Sequence, residues 1–196
     1  MEPKACGLIT LIPPALQREW AANLTGLAKR FRPAALIFKA PTVEILAQAV
    51  AAAKPLDLAV LPIDNAEAAL LAGANGVYLS AASAAGVSEA RAALGSAAVL
   101  GAACGLSRHA AMECAEAGAD FLSFDASDPA AWDKAARLSS WWDEITGVPA
   151  ALDFASVRPD RTVLSKARPD FLLIEETVQA GESLTFATEF GLQSQV

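Results

Sequence analysis

The chain has 196 residues, of which 54% are hydrophobic and 19% are charged, and its net charge is −7 at neutral pH. This length and apolar content predict a single domain over 1–196 with one substantial core. The negative charge disfavours nucleic acid as a partner, because phosphate backbones are repelled. Apolar runs stay below the roughly 18 residues that a membrane span requires, so we also predict no membrane association.

The first residues and the cysteines indicate the cellular compartment. The apolar run near the start is short and ends at Pro13, which does not fit a secretory signal. Cys6, Cys104 and Cys114 show no paired ligand spacing, so we predict reduced thiols and no zinc site. These features together predict a cytoplasmic protein.

Short apolar runs alternate with alanine-rich stretches along the whole chain, a pattern typical of repeated βα units and a parallel sheet. The runs are nearly continuous in hydrophobicity, which predicts strands covered on both faces. Eight strands are predicted, at 7–12, 34–38, 56–61, 76–79, 97–101, 120–124, 149–153 and 170–174.

Apolar residues recur at three- and four-residue spacing over 42–54, 107–119 and 128–145, which predicts helices packed on that sheet. An open doubly wound sheet is the alternative, but no Gly-x-Gly-x-x-Gly follows the first strand. We therefore predict an α/β fold, a (β/α)₈ TIM barrel of eight parallel strands. The polar C-terminal residues predict a short last helix.

In such barrels the chemistry lies at the carboxyl ends of the strands. The run from Cys104 to His109 follows the fifth strand, and Gly105, Ser107 and Arg108 in it form either an anion cradle or an ordinary helix start. His109 is the only histidine; it is either a catalyst that titrates near neutral pH or a surface residue. Cys104 lies beside Arg108, which predicts a lowered thiol pKa if the two interact.

Three other strand ends carry charged groups. Asp64 either binds Mg²⁺ carried by a pyrophosphate or caps the following helix. Lys39 either reaches a phosphate from the barrel mouth or extends into solvent. Asp153 and the pair Glu175-Glu176 place carboxylates where phosphate docking normally uses backbone amides.

The helix predicted over 128–145 contains Trp132, Trp141 and Trp142 at helical spacing. The simplest interpretation is a side that faces the sheet. An exposed tryptophan among them would instead anchor a partner subunit, as in a homodimer.

Two segments, GANGVYL at 73–79 and CGLSRHAAMECAEAGADFLSF at 104–124, resemble the thiamine-phosphate synthase family and its thiazole-tautomerase relatives. The family reads like GADGVHL in its fourth unit, and its sixth unit begins GADY. The resemblance implies a barrel that joins a pyrimidine pyrophosphate to a thiazole phosphate, with Mg²⁺ on the leaving pyrophosphate. It thus implies small phosphorylated metabolites as ligands.

The chain departs from the family pattern at most of the positions that hold phosphate. The family's Gln-x-Arg-x-Lys aligns with Leu36, Phe38 and Ala40, its Asn-Asp pair with Ile63-Asp64, a second metal-binding acid with Ser83, its Thr-x-Thr-Lys loop with 125–128, a glycine pair with Asp153-Phe154, and an Ile-Ser pair with Glu175-Glu176. One anion-stabilising donor is worth roughly 10²–10³ in rate, so these losses predict impaired or lost activity.

Three functions follow as hypotheses. The first is a thiamine-phosphate synthase that uses Asp64-bound Mg²⁺, with Ser107 and Arg108 on the pyrophosphate and Cys104 at the family's serine position. The second is a non-catalytic barrel, a pseudoenzyme, that binds a small metabolite or a protein partner. The third is an isomerase like the thiazole tautomerases, with His109 as its acid or base.

Overall fold

In a computed structural model of the chain, the described residues are 6–31, 33–155, 157–158 and 161–176. Strands and helices alternate along them. The strands are β1 Gly7–Ile12, β2 Ala35–Phe38, β3 Ala59–Pro62, β4 Gly76–Leu79, β5 Val99–Ala103, β6 Phe121–Asp125, β7 Ala150–Ala155 and β8 Phe171–Glu175. The helices are α1 Gln17–Phe31, α2 Val43–Ala53, α3 Ala66–Ala72, α4 Ala84–Leu94, α5 Arg108–Glu116, α6 Trp132–Ile145 and α7 Arg161–Lys166. Among the described helices, none combines the length and the hydropathy needed to cross a bilayer.

The strands form one sheet in the order β3-β2-β1-β8-β7-β6-β5-β4, and every paired neighbour is parallel. The two end strands also meet. Near the mouth, Ile63 and Tyr78 form a single parallel bridge. At the other end, Asn75 donates its backbone N–H to the Val60 carbonyl at 3.1 Å, and its side-chain oxygen accepts from the Val60 N–H at 2.9 Å. The sheet is therefore a nearly closed barrel, which confirms the predicted fold class.

Every predicted strand is present, and its bounds shift by at most a few residues. The largest shift is at β3, which begins at Ala59 instead of 56. A 3₁₀ turn occupies Lys54–Leu56, and Asp57 follows it with a left-handed φ of 51°. The predicted helix over 128–145 likewise opens with a 3₁₀ turn, at Pro129–Ala131. The predicted short last helix falls outside the described residues.

Alternate residues of each strand face opposite sides. One set fills the barrel interior: Ile9, Leu11, Ala35, Ile37, Leu61, Tyr78, Phe121, Ala151 and Leu173. The other set packs under the helices in two further clusters. Gly101 has a specific role in the interior, because a Cβ there would lie 2.3 Å from the Phe121 ring and 2.8 Å from the Tyr78 ring. Those two rings stack with centroids 6.1 Å apart.

The tryptophans of α6 belong to the outer core. Trp142 is buried, and Trp132 and Trp141 pack partly buried against the same cluster. Trp142 donates its ring N–H to the Val148 carbonyl at 2.8 Å, and Trp132 donates to the Ala126 carbonyl at 2.8 Å. The sheet-facing interpretation is confirmed. Because none of the three is exposed, these residues give no support to a subunit anchor, and the homodimer stays a prediction.

Candidate functional site

A cavity of about 280 Å³ opens at the carboxyl ends of β4 to β7. This is the end at which barrels of this kind carry their chemistry. Most of its lining side chains continue the inward-facing alternation of the strands. The lining residues are Ser80, Ala103, Gly105, Ser123, Asp125, Ser127, Asp153 and Ala155. They offer hydroxyls and carboxylates, and none of them is basic.

Asp153 reaches the cavity because its neighbours on β7, Leu152 and Phe154, face the helices. One carboxylate oxygen, Oδ1, accepts a hydrogen bond from the Ala155 N–H at 2.9 Å. Ala155 has a left-handed φ of 47°, and the β7–β8 register shifts between it and Asp153. This bulge turns the Ala155 N–H back towards the carboxylate and fixes the carboxylate's orientation.

Burial raises the pKa of the Asp153 carboxyl to about 6, and the nearby charges of Asp125 and Glu175 act in the same direction. The Ala155 N–H and the Tyr78 hydroxyl oppose this by hydrogen bonding to the ionised form. Asp153 therefore exchanges its proton at a mildly acidic pH, where an ordinary aspartate is already ionised.

Tyr78 lies at the floor of the cavity and is 2% exposed. Its hydroxyl is 2.7 Å from the Ser123 Oγ and donates to the Asp153 Oδ2 at 3.5 Å. Burial, together with the charge of Asp153, raises the pKa of Tyr78, so the phenol stays protonated. With its proton directed at Asp153, the phenol oxygen accepts from Ser123, and the three groups form a hydrogen-bonded chain.

Asp125 and Asp153 are paired directly across the β6–β7 ladder. Asp125 is exposed at the rim, and its Oδ1 accepts from the Ser127 N–H at 2.9 Å and the Ser127 Oγ at 2.6 Å. The predicted carboxylate at this end of the barrel is thus present for Asp153, and Asp125 adds a second one. Glu176 differs, since it is buried and its N–H donates to the Leu11 carbonyl at 2.8 Å.

Asp64 closes the gap between β3 and β4. Its carboxylate accepts from the Ser80 N–H at 2.8 Å and also from the Ser80 hydroxyl. The capping interpretation is wrong, because Asn65 caps α3 by accepting from the Ala68 N–H at 2.8 Å. With φ at 51°, the Asp64 backbone turns its side chain towards β4 and away from the helix start.

The same geometry tests the predicted Mg²⁺ site. Both Asp64 oxygens are engaged by Ser80, and Ser83, at the second acidic position of the resemblance, caps α4. Over the described ranges, no group of three or more acidic, histidine or cysteine side chains is arranged to hold a metal ion. The residues present do not fit Mg²⁺, and no step is assigned to it.

The run that begins α5 contributes little to the cavity. Ser107 caps the helix and accepts from the Ala110 N–H at 3.2 Å. Arg108 lies over the Trp141 ring, 4.5 Å from its centroid, on the outer layer of the barrel. Gly105 lines the cavity, whereas Ser107 and Arg108 do not. The helix-start interpretation is confirmed, and the predicted anion cradle is not assembled.

His109 also lies away from the cavity. Its side chain is 83% exposed and lies 3.3 Å from the Glu113 carboxylate, one turn along α5. A second titratable group therefore faces the histidine, but on the open surface of a helix. This position favours the interpretation of His109 as a surface residue.

Cys104 points away from the mouth. It is buried in the outer core and its thiol is hydrogen-bonded to that of Cys114 on α5. Burial raises the pKa of the Cys104 thiol, so the predicted lowering is wrong. The reason is strand alternation, which turns Ala103 inward and Cys104 outward.

Lys39 ends β2 at an exposed position outside the cavity lining. The aligned clamp positions before it, Leu36 and Phe38, are fully buried among the helices and do not face the mouth. The inward-facing residues of β2 are Ala35 and Ile37. The two inward-facing positions of β2 are therefore apolar, and Leu36 and Phe38 do not face the mouth.

Sequence reasoning missed Tyr78 and Ser123. Both have a signal in the sequence. Tyr78 is the only tyrosine, and Ser123 lies between Leu122 and Phe124 in an otherwise apolar part of a strand. A polar group inside a buried strand needs a partner, because burying it alone is costly. That partner was not identifiable before the strands were placed side by side.

Comparison with known proteins bears on the family. No family model matches the chain. Thiamine-phosphate synthase from Erythrobacter litoralis is 35% identical over 113 residues, which cover 54% of this chain and 53% of that protein, so this match spans about half of the relative's length. Thiamine-phosphate synthase from Rhodospirillum centenum is 28% identical over 181 residues, which cover 86% of this chain and 87% of that protein.

A solved structure agrees with the fold. Thiamine phosphate pyrophosphorylase from Pyrococcus furiosus superposes with a TM-score of 0.69 and 20% identity, covering 93% of this chain and 92% of that one. The second sequence match extends along most of the barrel. The chain is therefore similar in sequence to thiamine-phosphate synthases, at 28% identity over most of its length and at 35% identity over about half of it.

Proposed function

We propose that this barrel no longer couples a pyrimidine pyrophosphate to a thiazole phosphate and that its mouth cavity binds a small, unphosphorylated metabolite. The observation that carries the proposal is the lining of the cavity. Two carboxylates and three serine hydroxyls face it, without a lysine or arginine among the lining residues. A phosphate group carries about −1.5 to −2 charge at neutral pH and needs cations or free amides there.

The size of the cavity supports the same conclusion. Ligand pockets commonly measure about 300–1,000 Å³, and this one is about 280 Å³. A single small ring or a short polar chain fits that volume.

The positions nearest to an anion site have other partners. Ser107 is used as the cap of α5, and Arg108 stacks on Trp141. Asp64 is held by Ser80, and within the described part of the chain it belongs to no group of three or more potential metal ligands. These contacts support loss of the synthase reaction over a merely rearranged version of it.

The coupling reaction can be tested directly. Purified protein is incubated with the pyrimidine pyrophosphate, the thiazole phosphate and Mg²⁺, and thiamine phosphate is measured. We expect no product above the protein-free control. Product that disappears in the variant Asp64→Ala would overturn the proposal, because it would show a working metal-dependent site.

Ligand charge can be tested with a matched pair. Isothermal calorimetry compares the thiazole alcohol with its phosphate ester, which differ only in the phosphate. We expect the alcohol to bind more tightly than the ester. Tighter binding of the ester would contradict the exclusion of phosphate, and heat from neither compound would favour the protein-partner alternative.

A further inference from the structure

The cavity holds a pair of carboxyl groups that the family's phosphate chemistry does not explain. Asp125 and Asp153 both line it and are partners in the β6–β7 ladder. Neighbouring strands of a sheet are about 4.8 Å apart. At this spacing the charge of Asp125 opposes ionisation of Asp153 and raises its pKa, in the same direction as burial.

The two groups have different surroundings, which decides where that proton resides. Asp125 is exposed and accepts two hydrogen bonds from Ser127, an arrangement in which a carboxylate acts only as acceptor. Asp153 is largely buried, and burial raises its pKa to about 6. The proton therefore resides on Asp153, and Asp125 is the base. Two carboxyl groups with separate environments commonly divide the acid and base roles in this way.

The other polar groups at the cavity are hydroxyls. Ser80, Ser123 and Ser127 line it, and Tyr78 connects Ser123 to Asp153. These three hydroxyls already donate within the protein, to Asp64, Tyr78 and Asp125 respectively, so their oxygens are left as acceptors for the hydroxyl groups of a ligand. Because the described lining residues include no cation, an uncharged ligand is favoured and a free enolate is not.

We propose that Asp125 and Asp153 act as a base and an acid that isomerise a small, uncharged α-hydroxycarbonyl compound in this cavity. The inference rests on the proposed function in one respect, since it takes the cavity as the site of an unphosphorylated ligand. It adds a reaction and assigns a role to each carboxyl group. It also replaces His109 as the proton-transferring residue of the isomerase hypothesis.

The proton balance closes over two steps. The Asp125 carboxylate removes a proton from the carbon next to the carbonyl, the C–H electron pair forms a C=C bond, and the carbonyl oxygen takes the Asp153 proton. The product is a neutral enediol, with Asp125 protonated and Asp153 ionised. Asp125 then protonates the former carbonyl carbon, while Asp153 takes the proton of the other hydroxyl, so both groups return to their starting states.

The test uses dihydroxyacetone in D₂O, with proton NMR following deuterium entry at carbon and the appearance of glyceraldehyde. We expect protein-dependent exchange that falls at least ~10²-fold in Asp153→Asn and in Asp125→Asn, the usual contribution of a general acid or base. The control is Asp57→Asn, which changes an exposed residue that precedes the amino end of β3, at the opposite end of the strand from the mouth. Exchange no faster than without protein, or unchanged in Asp153→Asn, overturns the proposal.

The pH profile separates a proton-transfer role from a structural one. The groups that face Asp153 are Asp125, Glu175 and Tyr78. Exchange requires protonated Asp153, so we expect its rate to fall as pH rises through about 6. Tyr78→Phe, a positioning variant, should move that fall to higher pH, because the Tyr78 hydroxyl lowers the Asp153 pKa. An unmoved profile in this variant contradicts the assignment.

A direct titration keeps the assignment testable in each variant. Carbon-13 NMR of labelled aspartate should show one carboxyl that titrates near pH 6 and disappears in Asp153→Asn. Its midpoint should fall in Asp125→Asn, since the Asp125 charge raises it. Binding of the thiazole alcohol without exchange would overturn the proton transfer alone, whereas tighter binding of the phosphate ester would overturn the ligand class on which both proposals rest.

Discussion

The two halves of the barrel mouth are built in the same way and differ in polarity. In each half, alternate side chains of parallel strands face the interior and the rest pack under helices. The β1–β3 half carries apolar residues towards its rim, Leu11, Ile37 and Ile63. The β4–β7 half carries polar ones, Ser80, Ser123, Asp125 and Asp153. The apolar core therefore continues to the rim on one side of the barrel and is replaced by a polar cavity on the other.

In the polar half, the orientation and the pKa of a side chain depend on its neighbours. Ile37 is fully buried and needs only apolar contacts. Asp153, in contrast, is oriented by Ala155 and Tyr78 and is influenced by the charges of two other strands. Substitutions in the apolar half should therefore act through packing and burial, and those in the polar half through protonation.

The largest effect should come from a carboxylate placed in the apolar half. Ile37→Asp buries a charge among Leu11 and its neighbours, which have no donor to pair with it. We expect a loss of more than about 4 kcal/mol in the free energy of unfolding, enough to unfold a marginal domain. Chemical denaturation measures it, and Ile37→Val is the control, with an expected cost of about 0.5–1.5 kcal/mol. A cost for Ile37→Asp as small as that of the control would remove the contrast between the halves.

In the polar half, substitution of Asp153 should change the free energy of unfolding by a smaller amount and should increase it. The folded chain holds the Asp153 proton up to a pH of about 6, whereas the unfolded chain loses it near ~3.9. The contribution of this group to stability is therefore full below about pH 4, decreases as pH rises to about 6, and is level above that. The decrease is at most about 3 kcal/mol, at ~1.4 kcal/mol per unit of pKa.

Asp153→Asn should abolish that decrease and raise the free energy of unfolding at pH 8 by about 2 kcal/mol, because the amide keeps the acceptor for the Ala155 N–H and cannot ionise. Denaturation at pH 4, 6 and 8 measures the change, with Asp57→Asn as the matched control. If the free energy of unfolding depended on pH equally in Asp153→Asn and in the wild type, another group would hold the buried proton.

The smallest effect is expected outside both halves, on α5. His109→Ala removes an exposed ring and its contact with Glu113, and an exposed ion pair on one helix contributes at most a few tenths of a kcal/mol. We expect a change below about 0.5 kcal/mol and no change in deuterium exchange on dihydroxyacetone. A large loss of exchange would return the proton-transfer role to the histidine.

The parts that sequence predicted well are those with local causes. Apolar periodicity predicted all eight strands, and Ser107 was recognised as a helix start because a cap bonds within three residues of itself. The candidate site was predicted poorly. Cys104, Arg108 and His109 follow a strand in the sequence, as site residues do, yet each faces the outer layer or solvent.

The alternation of side chains along a strand explains why the site residues were predicted less well than the strands. A residue's inward or outward direction reverses with every step along a strand, so an error of one residue exchanges the two faces. Predicted strand starts differ from the observed ones by up to three residues, as at Ala59. The positions aligned with the family's clamp, Leu36 and Phe38, accordingly face the helices in the fold.

By itself, the sequence determined the repeated βα units, their order and their parallel direction, because periodicity and helix caps act over a few residues. Only the tertiary structure decided that Tyr78, Ser123 and Asp153 meet. They come from three strands, and Tyr78 is 45 positions from Ser123 and 75 from Asp153. Their contact depends on strand register and barrel closure, which arise from packing over the whole chain and which no local pattern records.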